Sequence, residues 1–250
     1  MSKKILQPHI HLSIDDSAEF ALLPGDPKRI SHIAKFLDDV KELARNREYY
    51  SISGLYKGIK VLAISTGIGG PSTAIAVEEL KNIGVKVLIR IGSCGALKED
   101  LKKGDLVIAT AAVRNDGTSK TYIEDCFPAV SDLEVLQALI ESAKSLGYPY
   151  EYGIIKSHDS FYTDKEEEIN NYWSEKGVIA SDMETASLFV VGSLRGLKTG
   201  SILNVVVEKQ GNLKNDIAEY AFEEDKMSIL GEEREILTAL NAIVKLKNLL

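Results

Sequence analysis

Two arginines stand where buried strands are expected to end, and both suggest an anion site. Arg90 lies in an apolar run, two residues before the segment 92–95 (Gly-Ser-Cys-Gly). Burying a guanidinium there costs several kcal/mol unless an anion pairs with it. Arg29 follows the segment 24–27 (Pro-Gly-Asp-Pro) in the first turn of a predicted helix, where a cation is unfavourable unless an external anion binds. With the Ser93 hydroxyl as a donor, the arginines predict a phosphate pocket, and an internal salt bridge for each is the alternative.

A second group of polar residues lies where a later strand gives way to a helix. There Asp182 and Glu184 flank Met183. A carboxylate at a helix start either caps the helix or accepts paired hydrogen bonds from a diol, such as that of a sugar. From the residues alone both interpretations stay open.

Sequence motifs for several other chemistries are missing. The segment 67–70 (Gly-Ile-Gly-Gly) lacks the Gly-x-Gly-x-x-Gly spacing of a dinucleotide-binding fold. The chain has neither a Gly-x-Ser-x-Gly nucleophile elbow nor a P-loop, so acyl transfer and NTP hydrolysis are poor fits.

The elements that must position these residues follow a regular alternation. Strands are predicted at 20–23, 60–65, 85–91, 106–113, 152–156, 177–181 and 201–207, and helices at about 27–37, 71–83, 132–146, 165–175, 184–195 and 226–249. Continuous Val/Ile/Leu strands between helices need cover on both faces of a sheet. The strands that precede residues 24, 66 and 92 lead into predicted glycine-rich turns, where ligands bind in such sheets. We expect a single α/β domain over residues 1–250.

Composition narrows the class of partner and the compartment. The 37 acidic and 30 basic residues leave a net charge of −7, which disfavours nucleic acid as a partner. Two cysteines form no disulfide framework, as expected in a reducing cytosol. No signal-peptide core follows the N-terminus, and no apolar run approaches the roughly 18 residues that span a bilayer. We expect a cytoplasmic protein without a membrane partner.

Four segments together resemble the hexameric nucleoside phosphorylases, most closely the uridine phosphorylase subgroup. They are Pro24-Gly25-Asp26-Pro27-x-Arg29, Thr66-Gly67-Ile68-Gly69-Gly70-Pro71-Ser72, Arg90-Ile91-Gly92-Ser93-Cys94-Gly95-Ala96 and Asp182-Met183-Glu184-Thr185-Ala186. The resemblance covers about residues 9–210. It implies a central mixed, twisted sheet flanked by helices, of the phosphorylase/hydrolase-like type. It also implies a pentosyltransferase that converts a nucleoside and phosphate reversibly into a pentose 1-phosphate and a free base. Inorganic phosphate is then the co-substrate, and no organic cofactor is needed.

The same resemblance implies roles for individual residues within one subunit. Those implied for phosphate are Gly25, Arg29, Arg90 and Ser93. Met183 and Glu184 are implied for the ribose, and Phe161 with the backbone of Cys94 and Gly95 for the base. Arg29, Arg90 and Glu184 would be the catalytic groups, because cations facing phosphate stabilise the oxocarbenium-like transition state electrostatically.

Further residues are implied to act between subunits. Arg47 matches an arginine that reaches phosphate from a neighbouring subunit, and His9 matches a histidine lent to the ribose 5′-hydroxyl. A twofold dimer with shared sites, assembled as a trimer of dimers, follows from the resemblance. Glu48, Ile68 and Ser72 match positions where some members bind a monovalent cation, K⁺, at the dimer interface.

The sequence departs from the uridine phosphorylase pattern at the base. Lys165 stands in place of a uracil-reading glutamine, and Glu167 in place of an arginine. We include Lys165 among the base-binding candidates, and Lys165 or Lys209 is a candidate for stabilising the departing base. A purine nucleoside phosphorylase is the first alternative, and a nucleosidase, which would not need three arginines, is the next. Outside the enzymes, a nucleoside-binding sensor would bind without phosphate-dependent turnover.

Overall fold

The first strand explains why both faces of the central sheet are covered. The structure, a computed structural model, describes residues 5–248. In β1 (Phe20–Pro24), Phe20 and Leu22 join one hydrophobic core, whereas Ala21 and Leu23 join another. Successive side chains of a strand point to opposite faces, so this unbroken apolar run needs packing partners on both.

The remaining strands of the described chain form one sheet with β1. They are β2 (Asp38–Asn46), β3 (Tyr49–Tyr56), β4 (Ile59–Ile64), β5 (Val87–Ala96), β6 (Leu106–Asn115), β7 (Tyr150–His158), β8 (Ala180–Asp182) and β9 (Lys198–Val207). Their order is β2-β3-β4-β1-β5-β8-β7-β6-β9, and β9 also pairs with β5. That extra pairing closes β5 to β9 into a barrel-like ring. Parallel and antiparallel pairs both occur, as in β1–β5 and β2–β3, so the predicted mixed sheet is confirmed.

Helices cover both faces of this sheet. They are α1 (Lys28–Ala34), α2 (Gly70–Asn82), α3 (Gly117–Tyr122), α4 (Leu133–Leu146), α5 (Glu166–Glu175), α6 (Thr185–Leu194), α7 (Leu213–Ala221) and α8 (Lys226–Lys247). Apolar side chains of α2 and α6 belong to the first core, and those of α1, α4 and α8 belong to the second. No helix within residues 5–248 has the length and apolarity needed to cross a membrane.

Several elements were not expected from the sequence. β2 and β3 fall where no strand was predicted. Most of β2 is exposed and charged and shows no apolar alternation, and β3 is mostly buried, but serines and a glycine break its apolar run. Helices α3 and α7 were also missed, and neither buries an apolar face: α7 has no buried residue. The helix predicted to reach residue 249 ends at Lys247, and residue 249 lies outside the described chain.

The predicted glycine turn after residue 91 is wrong. Strand β5 continues to Ala96, and Gly92, Ser93 and Cys94 stay in register with β9 while Gly95 pairs with Ser181 of β8. The added pairing partners keep this segment extended. Its donors and side chains therefore lie on a strand fixed on both sides.

Candidate active site

Six strands end at one cavity of about 1190 Å³. The cavity is lined by residues at the carboxyl ends of β1, β4, β5, β7, β8 and β9, together with parts of α5 and α7. Its size is that of a small-ligand site, and its position is the one where α/β sheets bind ligands. Gly25, Arg29, Arg90 and Ser93, predicted separately from the sequence, all line it.

Arg90 is buried in the cavity wall with two carboxylates. Its Nε donates to Asp182 Oδ2 at 3.0 Å, and its Nη2 lies 2.5 Å from Glu184 Oε2. Burial alone would lower the pKa of this guanidinium, but the charges of Glu184 and Asp182 outweigh it and raise the pKa. The third nitrogen, Nη1, is buried and has no hydrogen-bond partner among the described residues. Internal pairing, the alternative from the sequence, thus holds for two of the three nitrogens.

Arg29 is held by the C-terminal helix, which sequence reasoning left without a role. Its Nε lies 3.2 Å from Glu232 Oε2 and its Nη1 3.2 Å from Glu235 Oε1, both on α8. The Nη1 also donates to the carbonyl of Ile91 at 3.2 Å, and Nη2 donates to the hydroxyl of Tyr220 on α7. Desolvation lowers the pKa of Arg29, yet Tyr220 and the two glutamates raise it overall. The guanidinium is charged and firmly oriented.

Glu235 is fully buried between this arginine and β5. Its Oε2 accepts a hydrogen bond from the backbone N–H of Gly92 at 3.1 Å. Burial raises the pKa of Glu235 to about 8, although Arg29 opposes the shift. Glu235 therefore couples the C-terminal helix to both arginine-bearing segments.

The carboxylates Asp182 and Glu184 have different roles. Asp182 caps α6, since its Oδ2 accepts from the backbone N–H and the hydroxyl of Thr185 at 3.0 and 2.6 Å. Glu184 makes no such cap. It lines the cavity, and its Oε1 accepts from the N–H of Gly69 at 2.6 Å. Burial raises the pKa of Glu184 against the opposing charge of Arg90.

Other predicted residues within one subunit fall on the same cavity. Met183, Cys94, Gly95 and Phe161 line it. Desolvation raises the pKa of the buried Cys94 thiol well above its ordinary value, so burial disfavours the thiolate form there.

The lysines proposed for the base lie elsewhere or are already paired. Lys165 is exposed at the start of α5 and does not line the cavity, whereas Glu167 does. Lys209 lines the cavity, but its Nζ lies 3.0 Å from Glu99 Oε1. The structure thus brings Glu167 but not Lys165 to the cavity.

His9 and Arg47 lie together on a surface outside this cavity. The His9 backbone carbonyl accepts from the side chain of Asn46, next to Arg47, at 2.8 Å. The His9 ring is fixed by buried Glu79, with Nδ1 2.6 Å from Oε1. Neither His9 nor Arg47 is among the residues that line the cavity of their own subunit.

The three positions matched to a monovalent cation surround Gly67. A β-carbon on Gly67 would lie 2.8 Å from Glu48 Cγ and 3.6 Å from Ser72 Oγ, and the Ser72 hydroxyl donates to the carbonyl of Ile68 at 3.4 Å. Carboxylate, carbonyl and hydroxyl oxygens fit a hard cation. Within the described chain, no cluster of three or more His, Cys, Asp or Glu suits a metal ion.

Sequence reasoning missed a buried lysine that contacts the cavity wall. Lys156 of β7 is 1% exposed, and its Nζ donates to Asn170 Oδ1 of α5 at 3.0 Å. His158, two residues on, lines the cavity, and desolvation lowers its pKa. The sequence signal is weaker than that of Arg90, because Lys156 follows Ile154 and Ile155 but is itself followed by the polar residues Ser157 and His158.

The chain is similar in sequence and fold to known phosphorylases. Residues 19–240 match the model of the phosphorylase superfamily. The uridine phosphorylase of Thermococcus kodakarensis is 43% identical over 83% of this chain and 79% of its own. The guanosine phosphorylase of Halorubrum lacusprofundi is 38% identical over 96% of this chain and 99% of its own. The crystal structure of a uridine phosphorylase from Vibrio fischeri ES114 superposes with a TM-score of 0.91, at 40% identity, over 98% of this chain and all of its own.

The similarity therefore includes the fold and the sequence, over at least 79% of the length of each of these proteins. The residues that line the cavity lie within the matched range, and so do Glu232 and Glu235 of α8, which contact Arg29. The chain belongs to the phosphorylase superfamily, as a pentosyltransferase similar to the uridine phosphorylases.

Proposed function

We propose that this protein catalyses the reversible phosphorolysis of nucleosides, with uridine as the first substrate. The observation that carries the proposal is the Nη1 of Arg90, a buried and charged donor at the cavity that has no hydrogen-bond partner within residues 5–248. A phosphate bound beside Arg29 and Arg90 would accept a hydrogen bond from that donor, which the carboxylates paired with the two arginines leave unused. A nucleosidase, which activates only water, gives no reason for this arrangement.

In the proposed reaction, one group of residues binds the attacking phosphate and another binds the sugar. Phosphate held by Gly25, Arg29, Arg90 and Ser93 would attack the anomeric carbon. An oxygen–carbon bond forms as the glycosidic carbon–nitrogen bond breaks, and the base leaves with the electron pair. Glu184 would accept hydrogen bonds from the 2′- and 3′-hydroxyls, with Met183 packed on the ring. Preorganised charge and orientation of this kind each lower the barrier by several kcal/mol.

A shared site between two subunits is part of the proposal. His9 and Arg47 share one surface and stay outside their own cavity, as side chains lent to a neighbour would. The twofold dimer, and a trimer of such dimers, is the assembly we propose. Glu48, Ile68 and Ser72 would bind a monovalent cation at its interface.

Two further expectations belong to the same proposal. Residues 1–250 would act as one phosphorylase domain. Both cysteines are free, Cys94 buried and Cys126 exposed, in keeping with the cytoplasm.

Phosphorolysis of purine nucleosides is the second candidate. Glu167 lines the cavity at a position where uridine phosphorylases resembling this sequence carry a positive charge. The Halorubrum relative is a guanosine phosphorylase and matches almost the whole chain.

The test is release of free base from uridine, thymidine, inosine and adenosine, each with and without phosphate. We expect phosphate-dependent uracil release, and Arg90→Ala should reduce kcat/KM at least about 100-fold. Arg195→Ala is the matched control, because Arg195 pairs with Glu78 on the surface and does not line the cavity. Release of purines alone would favour the second candidate, and release without phosphate would contradict phosphorolysis.

A further inference from the structure

A side-chain amide at the cavity wall is held in one orientation by two charged neighbours. Asn170 of α5 lines the cavity. Its Oδ1 accepts from Lys156 Nζ at 3.0 Å, and its Nδ2 donates to Glu166 Oε1 at 2.8 Å. Glu166 and Asn170 stand four residues apart and so share one face of α5. Lys156 reaches them from β7.

These two contacts fix which end of the amide is oxygen. A lysine side chain offers only N–H donors to an oxygen acceptor, and the carboxylate accepts from the N–H group. Turning the Asn170 amide over would set N–H against Lys156 and oxygen against Glu166, so that both bonds would be lost. The two ends of an amide have similar shapes, but here the hydrogen-bond partners decide which end of Asn170 is oxygen and which is nitrogen.

The locked amide keeps one donor and one acceptor for a ligand. Asn170 has two N–H donors and two acceptor lone pairs, and each contact uses one. Within residues 5–248, no other partner takes the remaining N–H or lone pair. Phe161 lines the same cavity, and Lys156 pairs in register with Ser181, two residues before Met183. Asn170 therefore lines the same cavity as Phe161 and Met183, the residues assigned to the base and the sugar.

A donor beside an acceptor can read the edge of a nucleobase. Uracil, thymine, hypoxanthine and guanine offer a ring N–H next to a carbonyl, whereas cytosine and adenine offer a ring nitrogen acceptor next to an amino group. For a base held in one pose by the proposed sugar and phosphate contacts, an amide free to turn over pairs with either edge, but a locked one pairs with only one. Resting on the proposed phosphorolysis of uridine, we propose that Asn170 reads the N–H and carbonyl edge of the base and excludes cytidine and adenosine.

Lys156 and Glu166 are positioning residues in this proposal. Lys156 is only 1% exposed, and its hydrogen-bond acceptor is a neutral amide. Burying its amino group in this way costs free energy of desolvation, which supports a functional role. The substrate class is therefore nucleosides of uracil, thymine, hypoxanthine and guanine. The residue at the cavity wall that selects them is Asn170 rather than Lys165.

The experiment measures kcat/KM for uridine, cytidine, inosine and adenosine with saturating phosphate. We expect the parent to prefer uridine over cytidine, and inosine over adenosine, by at least about 100-fold, as sites built around hydrogen bonds do. Asn170→Ala should lower the uridine value at least about tenfold and reduce both preferences below about tenfold. Asn171→Ala is the matched control, because Asn171 is exposed at the same wall and makes none of these contacts.

The double variant Lys156→Met with Glu166→Gln tests the lock itself. It keeps Asn170 but frees the amide to turn over, so the uridine-to-cytidine ratio should fall while turnover of uridine persists. A ratio within one variant is insensitive to partial loss of folding. Equal turnover of uridine and cytidine by the parent, or unchanged ratios in Asn170→Ala, would overturn the inference and leave the proposed function intact. Absence of phosphate-dependent base release from every nucleoside would remove the proposed function, and the inference with it.

Discussion

The guanidinium of Arg90 lies directly over the α-carbon of Gly92. A β-carbon on Gly92 would come within 2.6 Å of Nη2 and 2.7 Å of Cζ of that arginine. The two residues stand two apart on β5 and therefore project to the same face of the strand. Because Gly92 has no side chain, the side chain of Arg90 has room to fold back toward Asp182 and Glu184.

Gly92→Ala should displace this guanidinium and weaken phosphate binding. Any Cβ contact below 3.0 Å forces a shift, and Arg90 is held tightly by two carboxylates. We expect KM for phosphate to rise at least about tenfold, since geometry errors of an ångström cost that much or more. Steady-state kinetics with varied phosphate measure this. Gly95→Ala is the control for stability, because nothing lies within 4 Å of the added β-carbon. If Gly92→Ala has the same melting temperature as Gly95→Ala and the same KM for phosphate as the parent, the added β-carbon does not displace Arg90.

Glu235 should make the stability of the fold depend on pH. Its pKa is raised from the ordinary value of 4.5 to about 8 by burial, so the folded state binds its proton more tightly than the unfolded state. The resulting stabilisation is complete below about pH 4.5 and is lost as the pH rises through about 8. Glu235→Gln cannot titrate. The free energy of unfolding of the parent minus that of the variant, from urea titrations between pH 4.5 and 9, should therefore decline with pH.

A constant difference between the two proteins across this range would show that Glu235 keeps its ordinary pKa. Other groups titrate equally in both chains and cancel in the difference. Buffers without phosphate are needed, because an anion bound near Arg29 would stabilise the native state.

The sequence predicts the cavity better than it predicts what holds the cavity together. Arg90 was found because a cation inside an apolar strand needs an explanation. Most of the strands were predicted in a similar way, from runs of apolar residues that a sheet would bury. Glu235 could not be found this way, because it lies in an amphipathic helix 143 residues from the Gly92 amide that it contacts. Its role depends on tertiary packing of α8 against β5. Lys156 could not be found by the rule that revealed Arg90, because it stands at the end of a short apolar run rather than inside one.

Lys165→Ala should leave kcat for uridine within about twofold of the parent value. Lys165 is exposed and lies outside the cavity lining, and exposed substitutions away from a site have small effects. Lys209→Ala tests the other lysine considered for the departing base, whose Nζ is engaged by Glu99. We expect a modest change there as well. A drop of more than about tenfold in kcat for either variant would restore that lysine to the base-binding group.

Shared sites should be revealed by mixing two inactive proteins. Arg90→Ala disables the subunit's own cavity, and Arg47→Ala disables only the cavity of its neighbour. In a mixed dimer one cavity then receives both intact groups. Denaturing and refolding the two variants together should restore about a quarter of the parent activity, because half of the dimers are mixed and half of their sites are intact.

The control for this experiment mixes His9→Ala with Arg47→Ala. Both residues lie on the surface outside their own cavity, next to one another through Asn46. If both are lent to the neighbour, every site in a mixed dimer lacks one of them, and no activity returns. Recovery in the first mixture but not in the second therefore identifies lent residues rather than general rescue of folding. Equal results in the two mixtures, or a monomer by light scattering, would mean that each subunit works with its own residues alone.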